Sequence, residues 1–563
     1  MVAAGHYMAA QAGLQVLEAG GNAVDAAAAV GIATAVLEPE FVSFAGVAPI
    51  LIYLAETQEI VTISGLGPWP EAASCAYFHD HHGGAIPPGP LRSVVPAAPD
   101  AWITALERFG TMGFGEVAAA AIRFAREGFA VYPTLARMIA EHEATYAAWP
   151  TTAPIFLPEG RPPHVGELFV QEDLGRMLQF LADEEAAPGR KDRASGLDAV
   201  RRAFYRGDVA AAIVKFHADN GGLMTAADLA DFRVGIEPPV STSFGDINVY
   251  GCGPWCQGPM LLQELNIVEG LDLAALGHNT PAYVHSITEA IKLAAADRDA
   301  YYGDPRFVDV PMAALLDKDY AAKRRALIRD GDAWIDRPPP GAVDGTPWPG
   351  PGKTGTGGGG ALSAEALSGL DTSYLCVIDR WGNAVSATPS DGSTNDPIIP
   401  GTGLFLSPRG ASAWTDPSHP CSIAPGKRPR LTPNPALAIR PGEMIMPFGT
   451  PGGDVQTQAM LQVFLNIVVF GMEPQAAVEA PRFACYGFPS SFEPHDSYPG
   501  RVSLESRIEN EVGKSLSGWG HDVNWWPERI YLAGSVCAIS KSEKTGILRG
   551  GADPRRAAYA SGW

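Results

Sequence analysis

Apolar residues at helical spacing run from Ala9 to Leu17 and stop at Gly20-Gly21, a pair suited to ending a helix. Asn22 then stands where an N-cap belongs, and residues 23–37 are almost wholly apolar, interrupted by Asp25 and closed by Pro39. A helix that is apolar all round belongs in a core, and this one is too short and too rich in alanine to cross a bilayer. Two aliphatic runs, Val47–Leu54 and Ile60–Ile63, predict a β-hairpin. From about residue 97 to residue 330 the pattern is mainly helical, most clearly from Ala282 to Tyr302, before Gly303-Asp304-Pro305. Residues 337–371 differ in kind: Pro338-Pro339-Pro340, a Gly/Pro-rich stretch from Gly345 to Gly352, then four glycines at 357–360. No packed element can be built from that composition, so it reads as a flexible linker. Behind it a hairpin is predicted, with strands Ser373–Ile378 and Ala384–Thr388 around the turn Asp379–Asn383.

At 563 residues the chain exceeds one simple core, which calls for two domains or one large layered fold. Hydrophobic residues make up 46% and charged residues 18%, values of a folded protein. The 62 acidic residues outnumber the 41 basic ones, and a net charge of −21 argues against a nucleic-acid partner. The first residues lack the basic and apolar regions of a secretion signal, and no segment suits a membrane span. Seven dispersed cysteines, an odd number, read as reduced thiols of a cytoplasmic protein. Cys252 and Cys256 have no second Cys or His pair nearby to complete a zinc site. His79-Asp-His-His82 reads as a polar loop before Gly83-Gly84 rather than a metal site, and no metal or cofactor is expected.

The candidate chemistry lies at Thr372, a hydroxyl residue placed between the linker and a strand. A threonine hydroxyl needs a base, and His285, His419 and His521 form no triad pattern with it. A cut before Thr372 would supply that base, because the new α-amino group has a pKa of about 7.7–8.0. In Phe448-Gly-Thr-Pro-Gly-Gly453, the adjacent Gly452 and Gly453 can aim two backbone N–H groups at one point, as an oxyanion hole requires. Two competing motifs fail. Gly352-Lys353-Thr354 lacks the earlier glycine of a phosphate loop, with Pro347 in its place, and no serine stands three residues before any lysine to complete a β-lactamase-like set.

Taken together the chain resembles the gamma-glutamyltranspeptidase family. Leu17–Ala27 resembles its opening, and Glu289–Asp299 with Gly303-Asp-Pro305 resembles its long helix. Asp371-Thr-Ser373 with Gly382-Asn-Ala-Val-Ser386 resembles its nucleophile region. Pro425–Pro429, Gly449–Gly453, Ala480–Phe483 and Gly551–Arg555 resemble its later motifs. The resemblance implies an α+β fold, a four-layer αββα sandwich of the N-terminal-nucleophile (Ntn) hydrolases. It implies self-cleavage between Asp371 and Thr372, giving a large subunit, 1–371, and a small subunit, 372–563, intertwined in one fold. Thr372 would be the nucleophile, Gly452 and Gly453 the oxyanion donors, and Ser390 a second hydroxyl beside the nucleophile.

The departures shift the expected substrate. The family's glutathione-acting members hold the γ-glutamyl carboxylate with an arginine where this chain has Gly65–Glu71, which contains none. Their amino-group ligands fall on Ser407–Ser412, which has no acid; their Ser-Ser falls on Leu431-Thr432, and an Asn falls on Gly392. The resemblance therefore implies an autoprocessed amidohydrolase or acylase, acting through an acyl-Thr ester on a carboxylated amide other than glutathione, with water or an amine as acceptor. Arg409 is the candidate anchor for that carboxylate, with Thr432 and Gly392 in the same substrate region. The alternatives are a true gamma-glutamyltransferase or glutathione hydrolase, and an unprocessed binding protein on the same fold. A homo-oligomer is left open.

Overall fold

The computed structural model describes residues 1–189, 191–343, 372–394 and 397–563. Two antiparallel sheets carry the architecture. The first has seven strands in the order Tyr559–Ser561, Val2–Ala4, Leu375–Ile378, Ala384–Ala387, Ile50–Leu54, Glu59–Ile63, Ile236–Glu237. The second has six, in the order Leu548–Ala552, Cys537–Ser542, Met444–Gly449, Ala436–Arg440, Ile247–Gly251, Val240–Phe244.

Alternation along the strands assigns the layers. Leu375, Val377, Val385, Ile50 and Ile52 turn to a cluster shared with the helices Tyr7–Glu18 and Ala23–Leu37. Tyr374, Cys376, Ile378, Leu51 and Tyr53 turn the other way, onto Leu437, Ile445, Cys537 and Ile539 of the second sheet. The far face of that sheet, with Ala436, Ala438, Met446 and Phe448, packs on the helices Pro281–Tyr301 and Gln456–Val468. The result is helix, sheet, sheet, helix: the expected α+β, αββα sandwich. Both sheets take strands from either side of Thr372, so a cut there would leave the two pieces interleaved.

Local chemistry explains the elements that position the site. Asn22 caps Ala23–Leu37 through the backbone N–H groups of Val24 and Asp25, while Asp25 accepts from Asn22 N in return. Every residue of that helix is buried. Among the described residues no helix is long and apolar enough to cross a membrane.

Three local expectations need correction. The region 97–330 also contains the hairpin Val240–Phe244 and Ile247–Gly251, the outer strands of the second sheet. Residues 75–82 form a helix rather than a loop, capped by Ser74 and ended by Gly83 at φ 62°. The linker is not free at its start: Gly341 donates its N–H to Asp297 and accepts from Tyr301, and Pro339 accepts from Arg324. Side chains of the flanking helices bind its backbone, which composition alone could not show. Residues 344–371 lie outside the described residues, with most of the linker and Asp371.

Candidate active site

Thr372 lies at the entry of the inner strand Leu375–Ile378, fully buried. Its Oγ1 is 2.8 Å from Ser390 Oγ, and the two residues form an isolated antiparallel bridge. Ser390 is fixed in turn by its N–H to Val47 O, 3.0 Å. Arg556 donates from Nη1 to the Thr372 carbonyl at 2.8 Å, its guanidinium lying over the Phe41 ring at 4.0 Å. The neighbouring Ser373 donates its hydroxyl to Glu38 (2.7 Å) and its N–H to Pro389 O (2.9 Å). The nucleophile candidate is thus held on its backbone, on its hydroxyl and through the next residue.

Behind Ser390 lies Arg409, on the short 3-10 turn Arg409–Ser412 and wholly buried. Its Nη2 donates to Ser390 Oγ, its Nε to Asp391 Oδ1 at 2.5 Å, and its Nη1 to Thr432 Oγ1 at 3.4 Å. Phe492 covers it, with Cζ 5.7 Å from the ring centroid. A buried guanidinium is costly unless paired, and Asp391 supplies the charge. Asp391 itself sits at φ 91°, a conformation unfavourable for an L side chain, so the pair is held at some local cost. As an anchor for a substrate carboxylate, Arg409 begins with each guanidinium nitrogen already engaged.

Gly452 and Gly453, at φ 123° and 56°, follow the strand Met444–Gly449. That strand's last residue lies against the nucleophile region: a Cβ on Gly449 would sit 2.3 Å from the Tyr374 ring. Among the described residues no hydrogen-bond acceptor is assigned to the N–H of Gly452 or Gly453. The turn is braced from outside. Gln257 donates to Gly453 O at 2.9 Å, and Arg298 donates both to Gln257 (3.1 Å) and to Asp454 (2.5 Å). The long helix thus contributes a buried cation that holds the glycine turn. A Cβ on Gly453 would face Phe492 at 3.4 Å, so the same ring borders both the glycine turn and Arg409.

A carboxylate pair in the sequence Glu38-Pro39-Glu40 was not foreseen. Glu38 holds Ser373, and Glu40 accepts from the Tyr132 hydroxyl. Burial pushes the Glu40 carboxyl up to about 8, the like charge of Glu38 adding to the shift and the Tyr132 hydroxyl opposing it. The readable signal was two acids beside a proline at the end of a core helix, where acids are seldom buried. A second unforeseen group joins His285, Glu289 and His521, whose ligand atoms lie within 4.8 Å of one another. The Lys292 ammonium is 2.8 Å from Glu289, and His285 Nδ1 is 2.9 Å from His521 Nε2, which makes this a hydrogen-bonded network inside the helical layer.

Of the residues expected at the site, Thr372, Ser390, Arg409 and Thr432 are linked in one hydrogen-bonded chain. Gly392 cannot act as the family's Asn does: a Cβ there would meet the Glu40 carbonyl oxygen at 1.9 Å. The segment Gly65–Glu71, where an arginine was missing, instead turns Trp69 inward. Its buried ring packs on the turn carrying Arg409, with Cη2 2.4 Å from a Cβ built on Gly410.

Known proteins resemble this chain along nearly its whole length. The gamma-glutamyltranspeptidase family model matches residues 9–563. The Acylase ACY 1 proenzyme of Pseudomonas sp. (strain V22) is 33% identical over 555 residues, covering 96% of this chain and 89% of the relative. The Glutathione hydrolase-like YwrD proenzyme of Bacillus subtilis (strain 168) is 32% identical, covering 99% and 97%. Among solved structures, the cephalosporin acylase from Bacillus halodurans superposes with a TM-score of 0.84 at 29% identity, covering 100% of this chain and 95% of that one.

Proposed function

The chain belongs to the gamma-glutamyltranspeptidase family, and on that footing we propose that it is a proenzyme cut before Thr372, whose mature form hydrolyses a carboxylated amide other than glutathione. It is an enzyme of the amide-hydrolysing Ntn class. In the proposed cycle the freed α-amine of Thr372 takes the proton of its own hydroxyl as Oγ1 attacks the amide carbonyl. The N–H groups of Gly452 and Gly453 receive the negative charge that develops on the carbonyl oxygen. The resulting α-ammonium then protonates the leaving nitrogen, and water releases the acyl group from Thr372 by the same steps in reverse.

The observation that carries the substrate assignment is Trp69 packed on the Arg409 turn, in the segment where glutathione-acting members hold an arginine. A buried indole offers no charge to a γ-glutamyl carboxylate, and a lost charge-assisted contact costs about 1.5–3 kcal/mol. The test is a panel of glutathione, oxamate and a glutaryl amide offered to the purified, cut protein. Glutathione is expected to be the slowest; glutathione turnover equal to the best acyl amide would overturn the assignment. Seven free cysteines support a reducing, cytoplasmic setting.

A further inference from the structure

We infer that Arg409 and Asp391 are positioning residues that aim the Ser390 hydroxyl at Thr372 Oγ1, and that they serve the release of the acyl group more than its capture. This rests on the acyl-Thr372 reading above. Arginine has no acceptor atom, so Ser390 Oγ must accept from Arg409 Nη2. With its oxygen accepting from Arg409, Ser390 can donate its hydrogen to Thr372 Oγ1, 2.8 Å away in a contact that either hydroxyl could donate. A positive donor on one side of a hydroxyl strengthens its own donation on the other. Asp391, bonded to Nε at 2.5 Å, fixes the rotation of the guanidinium about that contact, and Thr432 touches its third nitrogen. The whole group is buried, so water does not dilute its polarity.

A donor aimed at Oγ1 matters most when that oxygen carries charge as a leaving group. In deacylation, water adds to the ester carbonyl as the α-amine takes its proton, and the carbon–Oγ1 bond breaks. The electron pair goes to Oγ1, the α-ammonium returns the proton, and free acid plus Thr372 hydroxyl result. Ser390 keeps its own proton throughout and lends the departing oxygen a hydrogen bond. Attack on the amide needs Oγ1 as a nucleophile, which the same donor helps little. The strained φ of 91° at Asp391 and the exclusion of water from the pair fit a built device rather than a spare salt bridge.

The experiment uses cut wild type, Arg409→Lys and Asp391→Asn with two nitroanilides, glutaryl and an uncharged butyryl analogue, read by rapid mixing and by intact mass of the small subunit. Arg409→Lys keeps the charge but loses the fork; Asp391→Asn keeps the shape but loses the counter-charge. The expected result is a retained burst of nitroaniline, kcat lower by about tenfold or more with both substrates, and a larger steady-state fraction of acylated small subunit. If the variants instead raise KM for the glutaryl compound alone, with kcat and acyl fraction as in wild type, Arg409 is a substrate anchor and the inference falls while the acyl-Thr372 reading stands. If no protein, wild type or variant, ever carries an acyl group on the small subunit, the reading itself fails and takes the inference with it.

Discussion

Restoring the family's asparagine at residue 392 should damage this protein rather than give it glutathione activity. A Cβ on Gly392 would lie 1.9 Å from the Glu40 carbonyl oxygen, 2.6 Å from its carbon and 3.0 Å from Phe41 N. All three are backbone atoms, so no side chain can swing aside. Return to ordinary contact requires the backbone to retreat by roughly 1.5 Å in an interior packed to crystal density. The segment that must move carries Glu38 on Ser373, Glu40 on Tyr132, and Phe41 beneath the Arg556 that holds Thr372. Overpacking of this kind costs about 1–3 kcal/mol, and Gly392→Ala, the smallest version, should already show it. Urea titration on a Thr372→Ala background keeps one uncut chain and makes the comparison direct. Gly392→Asn, made in the native background, should also hydrolyse glutathione no faster than its parent. The reasoning fails if Gly392→Ala stays within about 0.5 kcal/mol of its parent, the range of an indifferent surface change, or if Gly392→Asn gains glutathione turnover.

Other predictions follow from the same geometry. Thr372→Ala should remain a single 59.3 kDa band on denaturing electrophoresis and be inactive; appearance of two fragments would assign the cutting to another residue. Gly452→Ala, at φ 123°, should fold poorly or lose about a hundredfold in kcat as the N–H is turned away, whereas unchanged kcat would remove Gly452 from the oxyanion role. Glu40 titrates near 8 in the fold against 4.5 in the open chain, so the native state keeps a proton that the unfolded state releases. Its stabilising contribution is therefore full below about pH 4.5 and is lost as pH rises through 8; Glu40→Gln should flatten that decline in urea midpoints, and an unchanged slope would show Glu40 ionised in the fold.

Local rules made single elements of this fold legible, while the four layers were implied by the family resemblance. A wholly apolar helix with an Asn cap could only be interior, and the strands after Thr372 alternate between two buried faces. The hairpin at 240–251 was lost for the opposite reason. Its first strand, Val240–Phe244, alternates weakly, and the hairpin sits between helices that dominate any window drawn around it. The helix at 75–82 was missed because three of its eight residues are histidines, which carry little periodic signal. Its ends, Ser74 and Gly83, were the usable clue.

The site divides along the same line. Thr372, Gly452 and Gly453 were candidates because a hydroxyl before a strand and a paired glycine turn have local sequence forms, and the family resemblance gave them their roles. What holds them has none: Glu38 meets Ser373 across 335 positions, Arg556 meets the Thr372 carbonyl across 184, and Gln257 meets Gly453 across 196. Arg409 and Asp391 lie only 18 apart, yet they are separated by a loop whose course decides whether the arginine faces solvent or the nucleophile. Only the fold shows that it faces inward, and this changes the chemistry assigned to it. An exposed arginine would be judged by the anions it can attract. A buried one, paired with Asp391 and donating to Ser390, is judged by the hydroxyl it touches. On the proposed reading, the site loses the family's charged clamp and keeps its reaction because the groups that would select substrate and the groups that would move electrons are held by different parts of the chain.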